Sequence, residues 1–280
     1  MSRNENSANQ TDAVVSYWNE HPVHSVEFAS GSDPKDYFDK IDRLRWSDNE
    51  RWALRFYDLQ LPEGSKVLDA GCGIGVCSRY YAKKGYDVHA IDITPTAVET
   101  TRKSFELFGL QGTVTIGNVE NIPYPNDFFH GLVSNGVIHH TPNTEKSVDE
   151  FYRVLKPGGL ASCCVYYRNA LLRPPLWTLT KRLLPLLLKK KAGREGMLSV
   201  RTPEELARAY DGNGTPIAKL YSMAAAKQLF HQFHLQAVAT HYFPARFLRG
   251  FRPGGRVHRI LDRHCGLLLY FLLKKPRQGL

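Results

Sequence analysis

The sequence predicts an α/β protein with a mostly parallel sheet of seven strands, helices on both faces of the sheet, and an antiparallel edge. Two observations predict this fold. Short apolar runs alternate with helical patterns from residue 64 to residue 167, as in chains that build parallel sheets from βαβ units. Two later runs, 235–242 and 266–274, have the character of strands and fit an antiparallel pair at one edge.

The first βαβ unit is the stretch VLDAGCGIGVCSRYYAKKGYDVHAID, residues 67–92. An apolar run typical of a buried parallel strand leads into a loop that contains Gly71, Gly73 and Gly75. A helical pattern follows, and then a second strand that ends at Asp92. Such a loop brings backbone amides and a helix N-terminus against a ligand, and Asp92 can accept hydrogen bonds from both hydroxyls of a ribose. The unit therefore predicts a ligand with an adenosine end.

The glycine spacing narrows the choice among such ligands. The dinucleotide fingerprint places its third glycine at the position that Val76 holds in this chain. The spacing therefore disfavours NAD. The alternative is that the glycines serve only a tight turn.

The remaining elements continue the alternation. A turn at Pro157, Gly158 and Gly159 is predicted to lead into the fifth strand. Residues 1–11 are predicted to be a frayed tail. Further strands are predicted at 113–117, 131–135 and 160–167, and helices at 12–18, 47–59, 95–108, 144–155, 203–209 and 224–233. The predicted organisation is a helical lid at 1–62, a core at 63–168, an insertion after the fifth strand at 169–220, and a C-terminal completion of the sheet at 221–280.

Composition and charge limit the class of protein to which this sequence can belong. The net charge of +10 suggests an acidic partner, and the basic residues crowd into 181–205 and the last thirty-five positions. The five cysteines form no CxxC pair, so neither a metal site nor a disulfide framework is expected. Free thiols suit a reducing cytosol, and the start MSRNENSANQ lacks the apolar stretch of a secretory signal. The expected location is cytoplasmic.

Five motifs carry a family resemblance: VLDAGCGIG, VHAID, GNVENIPYP, GLVSNGVIHHTPN and VLKPGG. In this order and at these intervals they resemble the class I S-adenosylmethionine-dependent methyltransferases, over about residues 64–167. The nearest likeness is to the bacterial small-molecule branch that contains quinone and sugar methyltransferases. The resemblance implies a Rossmann-like three-layer sandwich and S-adenosylmethionine as the cofactor.

The resemblance also implies which residues meet that cofactor. Asn118 departs from the acidic residue common at its position, but its side-chain oxygen can still accept a hydrogen bond from the adenine amino group. The other implied contacts are Asp69 with the amino group, Gly71 and Gly73 with the methionine and ribose portion, Asp92 with the ribose, Ile93 with the adenine, Val119 through its backbone amide, Asn135 at the end of the fourth strand, and Arg45 with the methionine carboxylate.

His139 and His140 are the candidate catalytic residues. Methyl transfer to an O–H or an acidic C–H also requires removal of a proton, and imidazole has a suitable pKa for a general base. The alternative is that one histidine packs against the cofactor and the other caps the helix that begins near Pro142. The segment lacks the Asn/Asp/Ser-Pro-Pro-aromatic signature of enzymes that methylate DNA bases, which counts against that substrate.

Four residues are candidate substrate contacts: Tyr37 in the lid region, and Tyr166, Tyr167 and Arg168 at the end of the fifth strand. The tyrosines could orient a hydroxyl group, and Arg168 could pair with an anion. The alternative is that the aromatic residues complete a pocket wall. Tyr17 and Trp18 are further candidates for the lid.

The predicted activity is methyl transfer from S-adenosylmethionine to a small molecule, at oxygen. One alternative is a lipid or quinone methyltransferase at the membrane surface, because residues 177–194 form a basic, leucine-rich segment that suits peripheral membrane contact. Another is a catalytically silent cofactor-binding partner or an RNA-binding protein, although nucleic acid is the less favoured partner. The oligomeric state is left open.

Overall fold

The computed structural model of the protein describes residues 3–22, 33–46, 54–187, 195–212, 214–243 and 255–277. Within these residues, none of the helices combines the length and the apolar character that crossing a bilayer requires.

A single mixed sheet organises the described chain. Its strands are β1 (Lys66–Ala70), β2 (Asp87–Asp92), β3 (Thr113–Ile116), β4 (Phe129–Asn135), β5 (Leu155–Tyr167), β6 (Leu220–Tyr221), β7 (His234–His241) and β8 (Leu268–Lys274). The order is β3-β2-β1-β4-β5-β8-β7, with the two-residue β6 beside β5. β8 is antiparallel to both of its neighbours, and the other pairs are parallel. The predicted mostly parallel sheet with an antiparallel edge is confirmed, and β6 is one strand more than predicted.

Helices cover both faces of this sheet. They are α1 (Arg3–Glu20), α2 (Pro34–Arg45), α3 (Leu54–Tyr57), α4 (Val76–Lys83), α5 (Pro95–Phe108), α6 (Thr144–Val154), α7 (Leu176–Leu187), α8 (Pro203–Tyr210), α9 (Met223–Leu229) and α10 (Gly255–Cys265). One buried cluster joins Phe151 of α6 and Leu229 of α9 to the sheet, and another joins Tyr57 and Tyr81 to it. The central strands are therefore buried on both sides, which explains their continuous apolar runs.

Two local predictions need correction. The described part of the predicted tail at 1–11 is helical, because α1 begins at Arg3 and passes Asp12 without a break. No glycine or proline precedes Pro22 to end this helix, and its buried Val14 anchors it. The helix predicted at 47–59 begins outside the described residues, and its described part is α3.

The turn predicted at Pro157 is a bulge inside β5. Phe129 pairs with Leu155 and Gly131 with Leu160, so β5 carries extra residues between two successive pairings. Gly158 lies in this bulge with φ of +82°, a left-handed conformation that favours glycine.

A buried ion pair fixes α2 against α4. The Arg79 guanidinium is fully buried, and it donates to the two Asp42 carboxylate oxygens, from Nε at 3.1 Å and from Nη2 at 2.6 Å. Its Nη1 donates to the Ile74 carbonyl oxygen at 2.6 Å, inside the glycine loop. The clamp thus connects the N-terminal region to the loop between β1 and α4.

We expect Asp42→Ala to lower the free energy of unfolding by about 3–5 kcal/mol, because it leaves the Arg79 charge buried without its partner. Urea denaturation would measure the change. Asp36→Ala is the matched control, since Asp36 is exposed in the first turn of the same helix and its loss should cost no more than about 1 kcal/mol. Equal losses of unfolding free energy in the two variants would contradict a stabilising role of the Asp42–Arg79 ion pair.

Candidate active site

The glycine loop leaves open space at the carboxyl edge of the sheet. Gly71, Gly73 and Gly75 all have left-handed φ values, of +87°, +54° and +77°. A side chain at Gly71 would collide with Val137, but no atom lies within 4 Å of the position that a side chain would take at Gly73 or at Gly136. The loops after β1 and β4 therefore offer bare backbone to a ligand, as a cofactor cradle requires.

Asp92 closes one side of this cradle. Its carboxylate accepts hydrogen bonds from the backbone N–H of Gly73 at 3.0 Å, and from the N–H and the hydroxyl of Thr94 at 3.0 and 2.9 Å. The pKa of the Asp92 carboxyl is raised above its usual value because the group is buried, and the bonds from Thr94 and Gly73 oppose this increase in part. A carboxylate has roughly four acceptor sites, and these three bonds leave capacity on Oδ2 for a ribose hydroxyl. Ile93 lies beside it, partly exposed, as packing on an adenine would require.

Asp69 lies deeper, at the end of β1. It is only 2% exposed and accepts a hydrogen bond from the Ser78 hydroxyl at 2.5 Å. Burial raises the pKa of Asp69 to about 7, against the opposing effect of the bonds from Ser78 and with a further increase from Asp92. Near neutral pH this carboxyl is therefore poised between its two protonation states.

We expect cofactor affinity to depend on pH through Asp69. If the carboxylate faces the cofactor's ammonium group, the ionised form binds better, so affinity should fall about tenfold per unit as the pH drops below about 7 and should level off above it. Titration calorimetry in two buffers of different ionisation enthalpy should show proton release below pH 7. Asp69→Asn should abolish both effects, and a pH-independent affinity in the wild type would contradict the assignment.

Asn118 lies in the turn after β3, where an adenine contact was predicted. Its side-chain oxygen accepts a hydrogen bond from the Glu120 backbone N–H at 2.8 Å, so this oxygen also holds its own turn. The oxygen has a second lone pair, and an adenine contact there stays a prediction. The Val119 side chain is buried in the core, and a ligand contact through its backbone amide stays a prediction.

Arg45 and Asn135 are brought together by a residue that the sequence did not single out. Arg45 donates from Nη2 to the Tyr57 hydroxyl at 3.2 Å, and that hydroxyl donates to Asn135 Oδ1 at 2.5 Å. Cys164 Sγ donates to the same oxygen at 3.0 Å. Asn135, at the end of β4, therefore accepts hydrogen bonds from Tyr57 and from Cys164, and Tyr57 links Arg45 to Asn135.

His140 belongs to a polar network at the ends of β4 and β5. Its Nε2 lies 3.1 Å from Asp211 Oδ2, and its Nδ1 lies 2.6 Å from the Ile217 carbonyl oxygen. The Tyr166 hydroxyl donates to the same Asp211 oxygen. Asp211 comes from the insertion, 71 residues after His140 in the chain, and no local pattern marks it. Asp211 therefore does not stand out in the sequence.

This geometry restricts the protons of His140. A carbonyl oxygen only accepts, so Nδ1 must carry a proton towards Ile217. In the neutral ring, Nε2 then holds a lone pair and faces a carboxylate oxygen, another acceptor. The two atoms therefore form a pair of acceptors, which a donor hydroxyl that enters between them would satisfy.

His139 has a different environment from its neighbour. Its ring packs on Tyr166 with centroids 4.1 Å apart, and it is 1% exposed. Its Nδ1 has no hydrogen-bond partner among the described residues. Burial, together with the nearby His140, lowers the pKa of His139 well below its usual range, so the ring is neutral near pH 7.

His139, His140 and Asp211 can each direct one ligand atom to a common point, with these atoms within 4.8 Å of one another. Two imidazoles and a carboxylate are ligands that transition metals accept. The absence of a bound metal stays a prediction.

α1 crosses the carboxyl edge of the sheet above the cradle. Trp18 makes an edge contact with the His140 ring at 5.2 Å, and Asn19 Oδ1 accepts a hydrogen bond from the Thr96 hydroxyl at 2.6 Å. These contacts lie after β4 and after β2, on opposite sides of β1. Tyr17 of the same helix lies against Gly212, one residue beyond Asp211. A lid role for Tyr17 and Trp18 stays a prediction.

The other candidate substrate residues lie apart from His140. Tyr37 is buried in a cluster that also contains Ile74 of the glycine loop. Arg168 donates to the Glu204 carboxylate of α8, so the anion beside it is part of the chain. The Arg173 guanidinium lies 5.9 Å from the Tyr167 ring centroid. Of the four candidates, Tyr166 is the one in contact with His139, His140 and Asp211.

The part of the chain that contains the glycine loop and the central strands matches known proteins. Residues 68–163 match the family model described as a methyltransferase domain. The chain is 38% identical over 101 residues to a sarcosine/dimethylglycine N-methyltransferase of Aphanothece halophytica, covering 35% of this chain and 36% of that one. It is 40% identical over 102 residues to an S-adenosyl-L-methionine-dependent Diels-Alderase of a Neonectria species, covering 36% and 38%.

A longer match has lower identity. The chain is 27% identical over 206 residues to a demethylmenaquinone methyltransferase of Symbiobacterium thermophilum, covering 69% of this chain and 81% of that one. The fold resembles a putative methyltransferase solved with a methyltransferase activator from Haloferax volcanii, at a TM-score of 0.57 and 14% identity over 89% of this chain and 100% of that one. The chain spans only about a third of the length of several curated relatives that it matches. Residues 68–163 therefore match a methyltransferase domain, and the described chain shares the fold of the solved structure that it resembles.

Proposed function

We propose that the protein transfers the methyl group of S-adenosylmethionine to an oxygen of a small-molecule acceptor that lies beside His140. The observation that carries this proposal is the His140–Asp211–Tyr166 network next to the glycine cradle. His140 would then offer a proton acceptor after the end of β4, beside the space that we expect the cofactor to take. Such a group is needed when the acceptor is a hydroxyl, because its proton must leave as the methyl group arrives.

The residues around the cradle suit the cofactor. Asp92 would accept the ribose hydroxyls, and the open backbone at Gly73 and Gly136 would allow close approach. Asp69 would face the amino group, and Arg45, held by Tyr57, would approach the carboxylate. The bound cofactor supplies a methyl group already activated on a sulfonium, so the chain's own task is placement, exclusion of water and removal of the proton.

The chemistry of the proton follows from the network. An acceptor hydroxyl that enters between His140 and Asp211 would donate its proton to Nε2, while Nδ1 stays bonded to the Ile217 carbonyl. The Asp211 carboxylate, held by the Tyr166 hydroxyl, would stabilise the imidazolium that forms. His139 stays neutral and buried, so its role would be to position Tyr166 by packing on its ring.

The names of the relatives point to several kinds of reaction. One relative is named as a demethylmenaquinone methyltransferase, another as a sarcosine/dimethylglycine N-methyltransferase, and a third as a Diels-Alderase. The last shows that the fold and the cofactor do not by themselves require methyl transfer. We favour transfer to oxygen because the network offers a base, which an amine that is already deprotonated does not need.

The direct test is incubation with S-adenosylmethionine labelled on its methyl group and an extract of small metabolites, followed by mass spectrometry. We expect a product that gains the labelled methyl group on oxygen. A product of unchanged composition, or label on nitrogen, would contradict the proposal. His140→Ala run alongside should show that the transfer depends on the network.

A further inference from the structure

Two helices outside the active site form a surface that we call the basic apolar face. It comprises the exposed apolar side chains of α7 and α10 and the exposed cations on the same two helices. Its apolar members are Leu176, Leu179, Leu183, Val257 and Ile260, and its cations are Lys181, Arg182, Arg256, Arg259 and Arg263. In the described part of the chain, most of the large apolar side chains that are exposed lie on these two helices.

α7 turns one apolar side inward and another outward. Trp177 and Leu184 pack against the cluster that contains Tyr166. Leu179, on the other side, is 55% exposed, and Leu176 and Leu183 lie on the same stripe at helical spacing. The leucines of the outer stripe belong to none of the buried clusters of the described residues, so their exposure calls for an explanation other than core packing.

α10 is attached by its polar side. Asp262 accepts a hydrogen bond from the Phe243 N–H at 2.6 Å and pairs with His241 Nδ1 at 2.8 Å. No residue of this helix is buried, and Ile260 is 61% exposed. Arg256, Arg259 and Arg263 recur at helical spacing beside the stripe of Val257 and Ile260.

The two helices belong to one region of the molecule, because both pack against the turn Ala170–Leu172 that follows β5. The five cations of the face are accompanied by one carboxylate on these helices, that of Asp262, and it is engaged with β7. None of the five cations has an ion-pair partner among the described residues. The face is therefore both apolar and uncompensated in charge.

We propose that the basic apolar face docks on the surface of an anionic lipid bilayer. Stable attachment to such a surface takes apolar side chains that enter the interface together with basic ones that meet the headgroups, and this face supplies both. Nucleic acid would use the cations but would leave the leucines, the valine and the isoleucine exposed to water. Trp177, the aromatic residue of α7, is turned inward and donates from its indole N–H to the Arg201 carbonyl, so it is not placed to stack on bases.

A cleft lies beside the α7 part of this face. Its volume is about 390 Å³, its cations are Lys181, Arg182 and Arg201, and its apolar lining is Leu184, Met197 and Val200. Leu184, Met197 and Val200 also belong to the cluster that contains Tyr166. If the proposed function holds, the acceptor would be an amphiphile taken from the bilayer, with its reactive oxygen directed towards Tyr166 and His140.

Sedimentation with vesicles tests the docking without any need for activity. The full chain is mixed with vesicles of phosphatidylcholine alone, or of phosphatidylcholine with phosphatidylserine. We expect binding to the second kind only. The triple substitution Arg256→Gln, Arg259→Gln and Arg263→Gln should weaken it by about fivefold per basic residue, on the order of a hundredfold in total. Leu179→Ser with Ile260→Ser should weaken it as well, at unchanged net charge.

A matched triple controls for overall charge. Lys103→Gln, Lys146→Gln and Lys227→Gln remove the same charge from exposed positions on α5, α6 and α9, and binding should stay close to wild type. Equal loss of vesicle binding in the two triples would overturn the docking. So would a wild-type protein that does not bind vesicles with phosphatidylserine, or that binds RNA and not these vesicles. Calorimetry with S-adenosylmethionine on the arginine triple should give the wild-type affinity, so failure of the docking is distinguishable from failure of the proposed function.

Discussion

Asp92→Ala is expected to weaken S-adenosylmethionine binding by about 3 kcal/mol or more, on the order of a hundredfold. The substitution removes the charged acceptor that we propose for the ribose, and a hydrogen bond to a charged group contributes about 1.5–3 kcal/mol. It also removes the partner of the Gly73 and Thr94 N–H groups, which loosens the glycine loop. Titration calorimetry measures the change, and His140→Ala should affect cofactor affinity far less.

The same strand offers the control for this prediction. Asp87 begins β2 at the opposite end and is exposed, so Asp87→Ala should bind the cofactor as the wild type does. Asp92→Asn keeps the shape of the side chain and separates loss of charge from collapse of the loop. Equal affinity of Asp92→Ala and wild type would refute the ribose assignment.

His140→Ala is expected to lower kcat by about 10²–10⁴-fold on the acceptor identified by labelling, because it removes the group that accepts the proton. Asp211→Asn should lower kcat too, since the imidazolium would lose its carboxylate, and Tyr166→Phe should have a smaller effect. The affinity for S-adenosylmethionine should change little in all three variants. Steady-state kinetics at several pH values would separate the loss of kcat from any change in KM.

His231→Ala is the control for the kinetic prediction. His231 is exposed in the turn after α9, and its Nδ1 lies 3.0 Å from the Gln228 carbonyl oxygen of the same turn. Its loss should leave kcat unchanged. Wild-type kcat in both His140→Ala and Asp211→Asn would remove the general-base proposal, even if cofactor binding is intact.

The sheet and the glycine loop could be predicted because their signals are local. Buried parallel strands require continuous apolar runs, and a loop that bends sharply under a ligand requires glycines with left-handed φ, as at Gly71 and Gly73. The position of Asp92 followed from the length of the βαβ unit. The antiparallel edge formed by β7 and β8 followed from two late apolar runs with no helical crossover pattern of the earlier kind.

The polar contacts between distant segments could not be predicted in this way. Asp211 meets His140, and Asp42 meets Arg79, across 71 and 37 residues, and neither acid lies in a pattern that marks it. These pairs arise from the packing of the insertion and of α2, which the hydrophobic pattern does not specify. The start of α1 was missed for a related reason, because a polar segment without glycine or proline is compatible with helix or tail until its tertiary contacts are known.

The most direct test of the account is a crystal structure of the protein grown or soaked with S-adenosylmethionine. We predict the ribose hydroxyls on the Asp92 carboxylate and the methionine portion along Gly71 and Gly73, with the sulfonium methyl group directed towards His140 and Tyr166. A cradle that stays empty at saturating cofactor, or that takes a dinucleotide with its pyrophosphate against the glycine loop, would contradict it.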